Sequence, residues 1–359
     1  MRFVPTFCLR EGMIVGKKLY GNNGQILISE NTEIRQSYID KIKLLGFSGI
    51  YVEDNISKDI HIKNVIDEDL RIKTVKGIKE MFIESEKGNK ISTPRINEAR
   101  LMVENIIENI LENKNLMVNM IDLKTFDDYT FYHSVNVAVL SIVIGVALNL
   151  NKNELYKLGL GALMHDIGKV FIEKEILNKK EKLTDDEYVA IKEHSELGYK
   201  YLKENFDIPI TSYVGTLQHH ERFDGSGYPN GKSGKDISLF GRIISITDVY
   251  DALTSDRPYR KGLLPSEAME YIMASGGSLF DPDLVKIFVK KIAAYPIGTC
   301  VKLSNNITAI VVDNFEYFVM RPKIKVLTDE NGHMVEPYYI DLKNDKNYMN
   351  VTIVDIADM

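Results

Sequence analysis

His219 and His220 stand side by side, followed by Glu221-Arg222-Phe223-Asp224-Gly225-Ser226-Gly227-Tyr228-Pro229. Neighbouring residues on a helix point about 100° apart, so both rings cannot sit in one buried apolar face. Both can reach one metal cluster if the chain bends after them, and Gly225 and Gly227 permit that bend. Five of the seven histidines fall between residues 123 and 295, together with suitable carboxylates. The candidate ligand set is His133, His165, Asp166, His194, His219, His220 and Asp248. Imidazole and carboxylate suit iron, manganese, nickel or zinc, and the absence of thiolates disfavours a structural zinc site. Seven ligands exceed what one ion needs. They suit two ions, with Asp166 able to bridge through its two oxygens.

Two ions about 3.5–4 Å apart can share a hydroxide and clamp a phosphoryl group. That chemistry needs no side-chain nucleophile, and none stands out. Lys169, one turn after Asp166, could stabilise charge on a phosphate or protonate a leaving oxygen. Asp166 and Lys169 are therefore the catalytic candidates.

The elements that must position these groups are helical. Tyr129 to Leu150 predicts a long apolar helix carrying His133, and Glu154 to Asp166 the next. Thr184-Asp185-Asp186-Glu187 is a capping-box pattern opening a helix that carries His194. A further helix leads into His219-His220, and Gly241 to Ser255 predicts one carrying Asp248 and Asp251. Glu267–Ala274 and Asp281–Ala294 close a helical bundle whose site lies between facing helices. The longest apolar run, Val135 to Leu148, is interrupted by Asn136 and Ser141 and is too short to span a bilayer.

Residues 123–295 are flanked on both sides. Residues 1–55 predict a small α+β module: a hairpin of Met13–Val15 with Gln25–Ile28, a helix over Ile34–Leu45 and a strand over Gly49–Glu53. Residues 56–122 predict two helices broken between Ser85 and Pro94. Ala99, Val103, Ile106, Ile107 and Ile110 make an apolar stripe that could pack on the next domain or form a homodimer seam. Residues 296–359 turn β-rich, with strands over Ile307–Val312, Tyr317–Met320, Lys323–Leu327 and Tyr348–Val354.

The net charge of −6 argues against general DNA or RNA binding. It leaves room for a small anion in a local basic pocket. Cys8 and Cys300 form no cysteine pattern, which suits a reducing cytoplasm, and Met1–Arg10 has no signal-peptide core.

Residues 123–295 resemble the HD-GYP domain, a branch of the HD phosphohydrolase superfamily. The resemblance rests on Tyr129-Thr130-Phe131-Tyr132-His133-Ser134, on His165-Asp166-Ile167-Gly168-Lys169 and on His194. It continues through the His219–Pro229 run, Asp248-Val249-Tyr250-Asp251-Ala252-Leu253-Thr254-Ser255-Asp256-Arg257-Pro258-Tyr259-Arg260, and Phe280-Asp281-Pro282. The two end modules resemble, more weakly, those that often flank such domains. The resemblance implies a mainly α, helical-bundle HD-type metal-dependent phosphohydrolase of bacterial signalling. Its substrate would be a cyclic dinucleotide, usually cyclic dimeric GMP, and its product linear pGpG and, in many members, GMP. A sensor that binds without turnover, or an enzyme for 3',3'-cyclic GMP-AMP, is the alternative.

The implied metals are iron or manganese, two or three per site. Members with a third ion have a glutamate where this chain has Tyr129, and a phenol is a poor ligand near neutral pH, so a binuclear site is expected here. Ser195 replaces the proline many members carry after the histidine. Such a substrate asks for cations and flat groups. Arg257 and Arg260 could bind phosphate or a guanine edge, Tyr228 could stack on a base, and Asp127 could accept from guanine N–H groups. Glu221 and Asp251 are expected to orient the ligands.

Overall fold

The computed structural model describes all residues except 22–23, 88–91, 115, 120–128, 180, 206, 256–261 and 358–359. The N-terminal module contains β1 (Arg2–Pro5), β2 (Ile14–Val15), β3 (Leu19–Tyr20), β4 (Ile26–Ile28), α1 (Gln36–Leu44) and β5 (Gly49–Glu53). The expected hairpin partner is corrected. Ile26–Ile28 pairs with Leu19–Tyr20, while Ile14–Val15 joins the antiparallel sheet β1-β5-β2. That register sets Val15 against Val52, and both side chains are buried. Gly46, with φ +75°, ends α1 in the left-handed conformation that favours glycine.

Two helices follow, α2 (Glu68–Glu86) and α3 (Thr93–Glu112). The stripe of Ala99, Val103, Ile106, Ile107 and Ile110 is buried in the main core, where the Val103 methyl groups approach Gly159. Packing on the neighbouring helices is thus the use this stripe finds.

The site-bearing helices are α4 (Tyr129–Ala147), α5 (Lys152–Leu163), α6 (Lys174–Leu177), α7 (Asp185–Lys192), α8 (His194–Asn205), α9 (Ile210–Gln218), α10 (Leu239–Thr254), α11 (Pro265–Ala274) and α12 (Pro282–Lys291). α4 is long and apolar enough to cross a membrane by length and composition, but 78% of its apolar window is buried inside the protein. It is the core helix, in contact with α2, α5, α10 and α12. Two boundaries differ from expectation. α5 stops at Leu163, leaving His165 and Asp166 in a turn before a 3-10 helix, Ile167–Phe171. The Thr184/Glu187 capping box opens α7 as expected, but α7 ends at Lys192 and His194 begins α8.

A five-stranded antiparallel sheet closes the chain: β6 (Cys300–Leu303), β7 (Thr308–Asp313), β8 (Lys323–Thr328), β9 (Met334–Asp341) and β10 (Ile353–Ile356), ordered β10-β6-β7-β8-β9. The run Tyr317–Met320, expected as a strand, forms turns instead. Tyr317 has φ +69°, and the adjacent Glu316 is held by Lys291 at 2.5 Å and Lys290 at 3.3 Å. The N-terminal part packs on the C-terminal sheet: the Phe3 amide donates to the Gly298 carbonyl at 3.0 Å, and Lys325 Nζ reaches the Ile56 carbonyl and Asp59 at 2.8 and 2.6 Å.

Candidate metal centre

The turn after α5 carries His165 and Asp166, and Lys169 follows one 3-10 turn later, where residues i and i+3 eclipse. Lys169 Nζ accordingly donates to Asp166 Oδ2 at 2.5 Å. Gly168 lets this turn lie against the start of α8. A Cβ there would fall 1.8 Å from the His194 carbonyl oxygen and 2.6 Å from the Gly198 nitrogen, so any larger residue would push His194 away from Asp166.

All seven candidate ligands converge. Their ligating atoms form three overlapping groups, each within 4.8 Å: His133, His165 and Asp166; His194, His219 and His220; His165, His219 and Asp248. Both carboxylates face two ways. Asp166 Oδ2 lies 3.4 Å from His165 Nε2 and 3.9 Å from His133 Nε2, while its Oδ1 lies 3.5 Å from His194 Nε2. Asp248 Oδ1 lies 3.0 Å from His133 Nε2, while its Oδ2 lies 3.9 Å from His220 Nδ1.

The backbone sets which imidazole nitrogen is available. His165 Nδ1 lies 2.8 Å from the Ala162 carbonyl, His194 Nδ1 2.6 Å from Ile191 and His219 Nδ1 2.5 Å from Thr216. Each partner is the carbonyl three residues earlier. A carbonyl only accepts, so Nδ1 carries the proton and the Nε2 lone pair points into the cluster. His133 is oriented through a side chain instead, with Nδ1 2.7 Å from Asp251 Oδ2. An acceptor held at that nitrogen orients the ring.

The donor set fits a metal. Among the described residues His165 Nε2 is buried without a hydrogen-bond partner, a state that costs about 1–3 kcal/mol and that coordination would relieve. Burial pushes His194, His219 and His220 below the usual histidine range, with neighbouring imidazoles adding to it at His219. They are neutral, as ligands must be. Burial opposes charge on Asp166 and Asp248 too. Lys169 and His165 outweigh it at Asp166, and His133 does so at Asp248, so both stay ionised.

The other expected site residues divide. Tyr228 does not stand free to receive a base on both faces. Its ring stacks on His220, centroids 4.7 Å apart and planes 29° apart, and its amide donates to the His220 carbonyl at 3.1 Å. Gly227 permits this fold-back, since a Cβ there would fall 2.3 Å from the Arg222 nitrogen. Glu221 holds the loop rather than a ligand: its carboxylate accepts from the Asn230 and Lys232 amides at 2.8 and 3.0 Å. Asp127, Arg257, Arg260 and the Tyr129 side chain lie outside the described residues.

Asn136 was not among the expected site residues. It is buried, and its Nδ2 donates to Asp251 Oδ1 at 2.9 Å, completing a chain Asn136–Asp251–His133. The signal was present in the sequence as a polar residue breaking an apolar helix, which must find a partner when buried. Ser141, the other interruption, meets Thr247 of α10 at 2.9 Å.

A family model described as HD domain matches residues 105–284, and one described as KOW domain associated with HD domain matches residues 300–359. The chain is 36% identical over 260 residues to the cyclic di-GMP phosphodiesterase PA4108 of Pseudomonas aeruginosa, covering 72% of this chain and 62% of that protein. It is 39% identical over 150 residues to the cyclic di-GMP phosphodiesterase response regulator RpfG of Xanthomonas campestris, covering 41% and 39%. It is 42% identical over 164 residues to the 3'3'-cGAMP-specific phosphodiesterase 1 of Vibrio cholerae, covering 45% and 37%. The chain thus spans less than two thirds of each of these relatives. In fold it resembles Bd1817, a HDG"Y"P protein from Bdellovibrio bacteriovorus, with a TM-score of 0.50 at 16% identity, covering 80% of this chain and 97% of that one.

Proposed function

The chain belongs to the HD domain family, and on that premise we propose that it is a metal-dependent phosphodiesterase that hydrolyses cyclic dimeric GMP to linear pGpG and/or GMP. The observation that carries this reading is the two-way placement of Asp166, one oxygen toward His133 and His165 and the other toward His194. That placement suits two ions, and the donor chemistry suits iron or manganese. Bound there, the ions supply Lewis acidity and a water-derived nucleophile at neutral pH.

The chain's own residues do the rest. Asp251 keeps the His133 proton on Nδ1, and the α5, α7 and α9 carbonyls do the same for His165, His194 and His219. Lys169, one third exposed beside nearly buried Asp166, sits where it can neutralise charge on the phosphate or protonate the leaving oxygen. Asp127, Arg257 and Arg260 are assigned to the substrate. The chain's parts are a regulatory module over 1–55, helices over 56–122, the catalytic bundle over 123–295 and a β appendage over 296–359. The two free cysteines support placement in a reducing cytoplasm.

The test is hydrolysis of cyclic dimeric GMP by protein purified without oxygen and supplied with ferrous iron or manganese. Linear dinucleotide or GMP should appear with wild type and not with Asp166→Ala. A second reading keeps the chemistry and changes the purine, because relatives of both substrate names match this chain. Parallel assays with 3',3'-cyclic GMP-AMP separate the two.

A further inference from the structure

A cyclic dinucleotide carries two phosphodiesters, and the metal cluster with Lys169 engages one. The second lies away from the cluster, where a further cation, in addition to Arg257 and Arg260, would hold it. The cluster shows where substrate enters. His133, His165, His194 and Asp166 are almost fully buried, whereas His220 is 24% exposed and Asp248 11%. The open lip is therefore at His220, and Tyr228 lies on that ring. Beyond Tyr228 stands α7. Lys192 Nζ lies 5.8 Å from the Tyr228 ring centroid and 5.0 Å from the Tyr188 centroid. Tyr188 and Lys192 are four residues apart and so share one helix face.

From this juxtaposition we infer that Lys192 binds the uncleaved phosphate of the dinucleotide and that Tyr188 offers a stacking face to one of its bases. Two observations support the inference, which rests on the phosphodiesterase reading above. Lys192 makes no ion pair among the described residues, whereas Lys179 is paired with Glu187 of the same helix at 2.7 Å. Tyr188 is 50% exposed and the adjacent Val189 is 52% exposed, which leaves an apolar surface facing solvent beside the cluster. A flat exposed ring beside a cation is the combination that holds a base and its phosphate without reading the base's edge. A cation held between two rings could instead serve only to brace α7 against the glycine loop, and the two roles respond differently to substrate.

The experiment compares wild type, Lys192→Ala, Lys192→Arg and Tyr188→Ala, all at measured metal content. Each is assayed with cyclic dimeric GMP and with bis(p-nitrophenyl) phosphate, a diester with one phosphate and no second site to fill. Lys192→Ala is expected to raise KM for the dinucleotide about tenfold, with a much smaller fall in kcat. Its loss in kcat/KM on the dinucleotide should exceed its loss on the simple diester by a similar factor. Lys192→Arg should restore most of the KM, and Tyr188→Ala should raise it in the same selective way. An unmoved KM, or equal losses on both substrates, overturns the inference, because a brace for His220 would affect both alike. Wild type that cleaves the simple diester but no cyclic dinucleotide would overturn the substrate reading and this inference with it.

Discussion

His133 Nδ1 lies 2.7 Å from Asp251 Oδ2, so a carboxylate on α10 decides which nitrogen a histidine on α4 offers to the cluster. Burial opposes charge on His133, but Asp248 and Asp251 outweigh it and push the ring up to about 9. Both ring nitrogens face a carboxylate, Nδ1 toward Asp251 and Nε2 toward Asp248 at 3.0 Å, so a metal bound at Nε2 would take the place of the proton there while Asp251 keeps the one on Nδ1. Asp251→Asn keeps the volume and removes the charge. We expect metal affinity to fall about 10–100-fold, read by competition with a chelator, with the metal-free fold unchanged. Equal affinity would remove Asp251 from the site. Asn136→Ala should shift affinity in the same direction by less.

Metal loading should stabilise the fold. Five imidazoles and two ionised carboxylates face one another, and His165 Nε2 has no hydrogen-bond partner among the described residues. A ligand that binds only the native state adds about 2.7 kcal/mol at a concentration 100 times its Kd. That is roughly 5–10 °C in Tm for a domain of 150–250 residues. Calorimetry with and without manganese checks this, and Asp166→Ala should abolish the shift. An identical Tm with and without metal would count against a preformed site.

Gly168→Ala tests the close approach of the 3-10 turn to α8. The added methyl meets the His194 carbonyl oxygen at 1.8 Å, and backbone atoms cannot rotate away. Overpacking of this kind costs about 1–3 kcal/mol. The measurement is the denaturant midpoint, and weaker metal binding should accompany its fall. A midpoint equal to wild type would show that the turn can shift freely.

Asp59 links the N-terminal part to the C-terminal sheet. Burial opposes its charge, but hydrogen bonds from Lys325 and Tyr339 win and lower its pKa to about 2. An unfolded aspartate titrates near 3.9. The stability it contributes is thus fully present above about pH 4 and is lost as pH falls toward about 2. Its side chain is 37% exposed, so solvent screening limits the effect to about 1 kcal/mol. Asp59→Asn should lower stability by that amount at neutral pH and flatten the acid limb of the stability curve. An unchanged acid limb would mean that the pair contributes nothing measurable.

The ligand types were legible in the sequence because metal chemistry restricts them. Histidine and carboxylate pairs in an otherwise apolar helical pattern have few other uses, and the motifs run long enough to carry a family resemblance. The helices were legible for a related reason: the spacing of apolar residues and the Thr184–Glu187 box are local signals. The strand partner of Ile14–Val15 was not local in the same sense. Val15 pairs with Val52 because both must be buried, and that choice involves residues 37 positions apart.

The site's fine structure depended on tertiary contacts throughout. Sequence spacing shows that Asp166 has two oxygens but not that they face opposite groups of histidines. That depends on the 3-10 turn lying against α8 over the bare Gly168. Nor could it separate Glu221, which grips loop amides, from Asp251, which grips an imidazole, since both are buried carboxylates beside the same motifs. The Tyr228 ring could have faced a base or the protein, and the loop's return over Gly227 placed it on His220. Residue type set which chemistry was available, and the packing of one element on another decided which atom of each side chain points where.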